Sequence, residues 1–152
     1  MNTSPAAGEM TTPQIAMCIA WAIVVAVGGG ILCGWLMVRF GTFGAAGLMG
    51  LGILAGMVAW QITRRGTPWV GWMLVVAVLL ALVLANMFWL RYANFAVGQN
   101  AKSWWDAAKG VFNLPNTAGT HCFITIVCAA FGAYNAYSSA GSRWHKVYVK
   151  EE

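Results

Sequence analysis

Between Ile15 and Val38 the chain runs 24 residues without an Asp, Glu, Lys or Arg. As a helix rising about 1.5 Å per residue, such a run crosses a hydrocarbon core of about 30 Å. Three more uncharged runs follow, at residues 43–62, 69–90 and 119–140. Charged residues make up 9% of the 152 and hydrophobic residues 60%, where a soluble domain carries about 25% charge. A water-soluble globule could not bury that much apolar surface and still cover itself with polar groups. A bilayer removes the conflict. The reading is an all-α integral membrane four-helix bundle, with residues 1–14 as a polar tail, 15–140 as the membrane domain and 141–152 as a basic-then-acidic tail.

Glycine decides how the helices meet. Ten of the eighteen glycines fall between Gly28 and Gly56, where the first two spans form a hairpin turning near Arg39–Phe43. Gly30 to Gly34 and Gly52 to Gly56 are both GxxxG. Small residues let backbones approach, and in lipid close packing replaces the missing hydrophobic drive between helices. Every span carries such a ridge at helical spacing: Ala22, Ala26, Gly30 and Gly34 in the first; Gly52 and Gly56 in the second, with Ala46 and Gly50 on an adjacent face; Ala77, Ala81 and Ala85 in the third; Gly132, Ala136 and Ala140 in the fourth. The first ridge is expected to face the second span. Together the ridges exceed what one four-helix core needs, which points to outside partners.

The 3–4 loop is the only long connection. Within it Ser103-Trp104-Trp105-Asp106 reads as a capping box that opens a short amphipathic helix at 103–112, stopped by Asn113, Pro115 and Asn116. Trp104, Trp105, Ala108, Val111 and Phe112 fall to one side, and Lys102, Asp106 and Lys109 to the other. That pattern lies in the interface plane, anchored by Trp104, Trp105 and Phe112. Tryptophan follows the same layout, with Trp35, Trp89, Trp104 and Trp105 at one face and Trp60, Trp69, Trp72 and Trp144 at the other. Trp21 lies deeper and is expected to pack on a neighbouring helix. With the N-terminus inside, Arg64, Arg65, Arg143, Lys146 and Lys150 are cytoplasmic, against Arg39, Arg91, Lys102 and Lys109 outside. This favours both termini on the cytoplasmic side. No basic residue precedes the first apolar run, which is too long for a signal-peptide core, so the first helix is expected to stay in the mature chain.

The spans are poor in reactive chemistry. None contains Asp, Glu, Lys or Arg, the usual marks of ion and proton pathways. Cys33 and Cys122 share a depth, which leaves a thiol pair between spans one and four open. No CxxC occurs, however, and the bland reading is four small apolar core residues, including Cys18 and Cys128. His121 opens the fourth span, where a cofactor ligand competes with an ordinary interfacial histidine. Asn86 and Thr125 share a depth and Asn135 lies toward the other face; interhelical hydrogen bonds are favoured over a polar path. No metal-ligand spacing appears and no cofactor is expected. The net charge of +5 is spread over loops and tail, which fits lipid headgroups and not nucleic acid.

The expected function is therefore non-catalytic: a small accessory or structural subunit of a larger membrane complex (respiratory, photosynthetic or another membrane enzyme), in the bacterial inner membrane, in contact with lipids and other membrane subunits. The rivals are a small homo-oligomeric transporter or channel, and a membrane thiol oxidoreductase.

Overall fold

The computed structural model describes residues 10–64, 67–93 and 103–141. Among these the structure is helical throughout, without strands: α1 Thr12–Phe40, α2 Ala46–Thr63, α3 Pro68–Tyr92, α4 Trp104–Thr117 and α5 Gly119–Gly141, with a 3-10 turn at Gly41–Ala45. Three helical stretches are long and apolar enough to cross a membrane, namely Thr12–Thr63, Pro68–Tyr92 and Gly119–Ala140.

The first stretch is 52 residues long and doubles back on itself. Trp21 Nε1 donates to the Ala55 carbonyl at 3.1 Å, tying the start of α1 to the second half of α2. Two glycines allow the reversal. Gly41 ends α1 at φ 60°, a conformation L side chains rarely adopt. Gly44 sits against the Leu36–Met37 backbone, where a Cβ would collide with main-chain atoms.

Helix starts follow local signals. Thr11 N–H donates to Gln14 Oε1 at 3.0 Å, and Pro13 occupies the first turn of α1. Thr12 to Gln14 are thus helical and not part of a polar tail. Pro68 opens α3. Arg64 closes α2 in the left-handed region, φ 49°, its N–H returning to the Trp60 carbonyl at 2.7 Å. Residues 1–9, the far tail from 142, Arg65 and Lys102 lie outside the described residues.

Register relations fix the bundle. Gly30 and Gly34 approach Ala81 and Ala85, so α1 and α3 run parallel. Gly52 and Gly56 approach Gly132 and Ala136, so α2 and α5 also run parallel. Between the pairs the sense is antiparallel: Thr67 N–H donates to the Ala140 carbonyl at 2.9 Å at one end of α3–α5, and Trp89 stacks on His121 at the other. Around the bundle the order is α1, α3, α5, α2, which leaves α1 and α5 on a diagonal.

The interior is small and the exterior large. Buried positions are dominated by Ala and Gly, and the larger fully buried apolar side chains are Met37, Leu48, Leu74, Val25, Val70 and Val78. Outside stand Ile23, Leu32, Trp35, Leu54, Leu80, Phe123 and others of their kind. Water drives large apolar groups inward; this chain does the opposite along its long apolar helices.

Candidate packing faces and interfacial helix

The small-residue ridges make the two parallel seams. A methyl on Gly30 would fall 2.8 Å from Leu84 Cβ and 3.2 Å from the Ala81 carbonyl oxygen. On Gly34 it would fall 2.6 Å from Phe88 Cβ and 3.0 Å from the Ala85 carbonyl oxygen. Ala22, Ala26, Ala77, Ala81 and Ala85 are all buried. The first ridge therefore faces α3, not the α2 expected from the sequence. The reason lies in the rest of α1: Gly29 and Cys33 occupy the neighbouring face and receive α2, through Leu51 and Gly47.

The second seam is tighter. A Cβ on Gly52 would overlap the Gly132 backbone, and one on Gly132 would overlap the Leu48 carbonyl oxygen. At Gly56 it would fall 2.6 Å from Ser139 Cβ and 3.2 Å from Ala136 Cα. Two main chains thus touch with no side chain between them. Ala136 and Ala140 continue the seam as buried residues. These ridges are used up inside the chain, so they supply no surplus for partners. The outward ones are Ala46 and Gly50 on α2, both exposed, and a methyl on Gly50 would meet nothing within 4 Å.

Asn86, Asn135 and Thr125 bond to their own helices. Asn86 Nδ2 donates to the Leu82 carbonyl at 2.9 Å, Asn135 Nδ2 to that of Phe131 at 2.8 Å, and Thr125 Oγ1 to that of Cys122 at 2.9 Å. Asn86 and Thr125 do not bond to each other. The expected interhelical bonds are replaced by bonds one turn back, because a short side chain on a helix reaches its own carbonyls first. Asn86 Oδ1 is left buried without a partner.

His121 is buried near the α1–α2 turn. Its ring stacks on Trp89 with centroids 4.0 Å apart and planes 17° apart, and Nδ1 lies 3.4 Å from Thr42 Oγ1. Nε2 is enclosed and unpartnered. Protein atoms cover that nitrogen, so a planar macrocycle could reach it only if the helices parted. The four cysteines are free. Cys33 and Cys122 sit on the diagonal helices α1 and α5 and are not brought together. Among the described residues no group of three His, Cys, Asp or Glu forms.

The loop helix is longer than its sequence signal. Ser103 Oγ accepts from Asp106 N–H at 3.1 Å and donates to Asp106 Oδ2 at 2.6 Å, so the aspartate reaches back to the serine hydroxyl. The helix then passes through Pro115 to Thr117. Burial of Leu114 holds this last turn, together with Thr117 Oγ1 donating to the Asn113 carbonyl at 3.1 Å and Ala118 N–H to that of Leu114 at 2.8 Å. Proline there costs one bond, at an end where few remain. Only Ala118 separates α4 from α5.

α4 has three faces. Ala107 and Leu114 are buried, and Gly110 abuts Leu90. Trp105 and Phe112 stand 70% and 87% exposed on a second face, beside the partly exposed Trp104. Asp106, Lys109 and Asn113 form the third. Trp104 also joins an aromatic group with Phe88 and Tyr92, at 6.4 Å and 6.2 Å between centroids. A cavity of about 300 Å³ lies between α3 and α4, walled by Trp89, Leu90, Gly110 and Leu114.

The sequence reading missed the Trp89–His121–Thr42 group. Its three members lie in three different elements, and only the bundle register joins them. No family model, no curated protein and no solved structure matches the chain.

Proposed function

We propose that the chain is a four-span integral membrane protein acting as a non-catalytic accessory subunit of a larger membrane complex. In this reading Thr12–Thr63 crosses twice, α3 and α5 cross once each, and α4 lies along the headgroup region. Both termini then face one side, taken as the cytoplasmic side of a bacterial inner membrane. The observation that carries the membrane reading is the inverted packing: alanine and glycine inside, leucine, isoleucine and aromatics outside. In water that exterior would be one continuous apolar patch, far beyond the few hundred Å² a soluble monomer exposes.

Two further observations support the subunit reading. Asn86, Thr125 and Asn135 bond to their own helices and do not line a route across the bundle. Ala46 and Gly50 leave an open small-residue strip on α2 where another helix could approach closely. Purification in gentle detergent, followed by mass spectrometry of whatever co-migrates, tests this. A larger partner that is lost in Gly50→Leu supports the subunit. A single species in whole-number multiples points instead to a homo-oligomer docked through the same strip.

A further inference from the structure

We propose that Arg91 is a seat for the phosphate of a membrane lipid headgroup, with anionic glycerophospholipids preferred. The proposal rests on the bilayer reading above. Arg91 stands in the last turn of α3. Its guanidinium carbon lies 4.5 Å from the centroid of the Trp104 ring and 5.4 Å from that of Tyr92. These rings hold the planar group by cation–π attraction and limit its motion. Its Nε is covered by protein atoms and has no hydrogen-bond partner, so only the terminal Nη groups are left to reach a phosphate.

No acid neutralises it among the described residues. The nearest candidate in sequence, Asp106, accepts from the Ser103 hydroxyl at Oδ2, while its backbone N–H donates to Ser103 Oγ. The other three acids, Glu9, Glu151 and Glu152, belong to the two tails. An arginine held by aromatic faces, with no carboxylate on it among the described residues, can offer its two Nη groups to two phosphate oxygens.

The depth is right for a lipid and not for a solute in bulk water. Trp105 and Phe112, on the helix that supplies Trp104, project 70% and 87% exposed. Such rings belong at the acyl boundary, which puts Trp104 and Arg91 beside the phosphate plane. Lys109 lies over Trp105 at 5.2 Å and adds a second positive charge on α4. This favours a headgroup with net negative charge.

The test uses the full chain in phosphatidylcholine nanodiscs doped with phosphatidylglycerol, read by native mass spectrometry of retained lipid. Wild type should retain phosphatidylglycerol, and Arg91→Gln should weaken retention about fivefold, the effect of one interfacial basic residue. Trp104→Leu should weaken it as well although the arginine remains, and Arg91→Lys should recover only part of the loss. Thermal unfolding of each variant checks that the bundle persists. Equal retention by wild type and Arg91→Gln overturns the proposal. Equal retention of diacylglycerol shows chain packing without phosphate recognition and also overturns it. Displacement of the lipid by inorganic phosphate reassigns the seat to a free anion. Flotation of wild type with phosphatidylcholine vesicles separates the two levels: no flotation sinks the membrane reading itself, whereas flotation with unchanged retention in Arg91→Gln sinks only the seat.

Discussion

Replacing Gly52 by Ala adds one methyl where two backbones already touch. The new Cβ would overlap the Gly132 main chain. A flexible side chain could swing aside, but a carbonyl within a helix cannot. Helices α2 and α5 must therefore move apart by roughly 0.5–1 Å, and such a gap forfeits a quarter to a half of each dispersion well it opens. Take the seam as comparable to one buried leucine, about 40–60 atom pairs at about 0.1–0.2 kcal/mol each. Losing a quarter costs about 1–3 kcal/mol, the same range seen when cores are overpacked. Gly50→Ala is the internal control, since its methyl meets nothing within 4 Å. Both variants gain the same helix propensity, so the difference between them isolates the seam. Unfolding in a graded sodium dodecyl sulfate titration measures it. If Gly52→Ala and Gly50→Ala unfold together with wild type, the close approach of α2 to Gly132 is wrong.

Other consequences can be checked alongside. Gly30→Leu should destabilise by about 1–3 kcal/mol, because the Ala81 backbone and Leu84 Cβ leave no room for a side chain, and Leu84→Gly, which removes the nearest atom, should partly relieve it in the double variant. Trp21→Phe should cost about 0.5–1.5 kcal/mol through the lost bond to the Ala55 carbonyl; an unchanged unfolding midpoint would remove that bond from the account. Oxidation with copper phenanthroline should fail to join Cys33 to Cys122, since their helices are diagonal, and an intramolecular disulfide found by peptide mapping would refute the helix order. With the other tryptophans replaced by Phe, Trp104 and Trp105 should be quenched most by shallow brominated lipids; strongest quenching at the bilayer centre would require α4 to dip inward.

Much of this architecture could be read from residue order. Charge-free runs locate the long apolar helices, and glycine and alanine at four-residue spacing mark buried ridges. Helix neighbours could not be read in the same way. The Gly30–Gly34 ridge carries no label for its partner, and a hairpin makes the adjacent helix the natural guess. The competing face at Gly29 and Cys33 becomes visible only once α2 is seen against it. Pro115 misled for a different reason. Proline is a stop when the turn before it is exposed, but here Leu114 is buried and holds the turn in place. Likewise Asn86 and Thr125 share a depth, yet depth says nothing about whether a side chain reaches across or folds back on its own helix.

The parallel seams also set an order of events. If the chain spans a bilayer as proposed above, α1 and α2 insert as a hairpin while the main grooves of both face helices that do not yet exist. Gly30 and Gly34 must wait for α3, and Gly52 waits for Gly132, some 80 residues later in synthesis. Until then the glycine grooves are filled by lipid tails or by any other helix nearby. Nascent intermediates should thus be vulnerable to wrong partners in the translocation machinery, and truncation before α5 should leave a hairpin that is inserted yet degraded. On that reading the bundle locks only when α5 arrives, so quality control of this protein becomes a test of whether α5 was made.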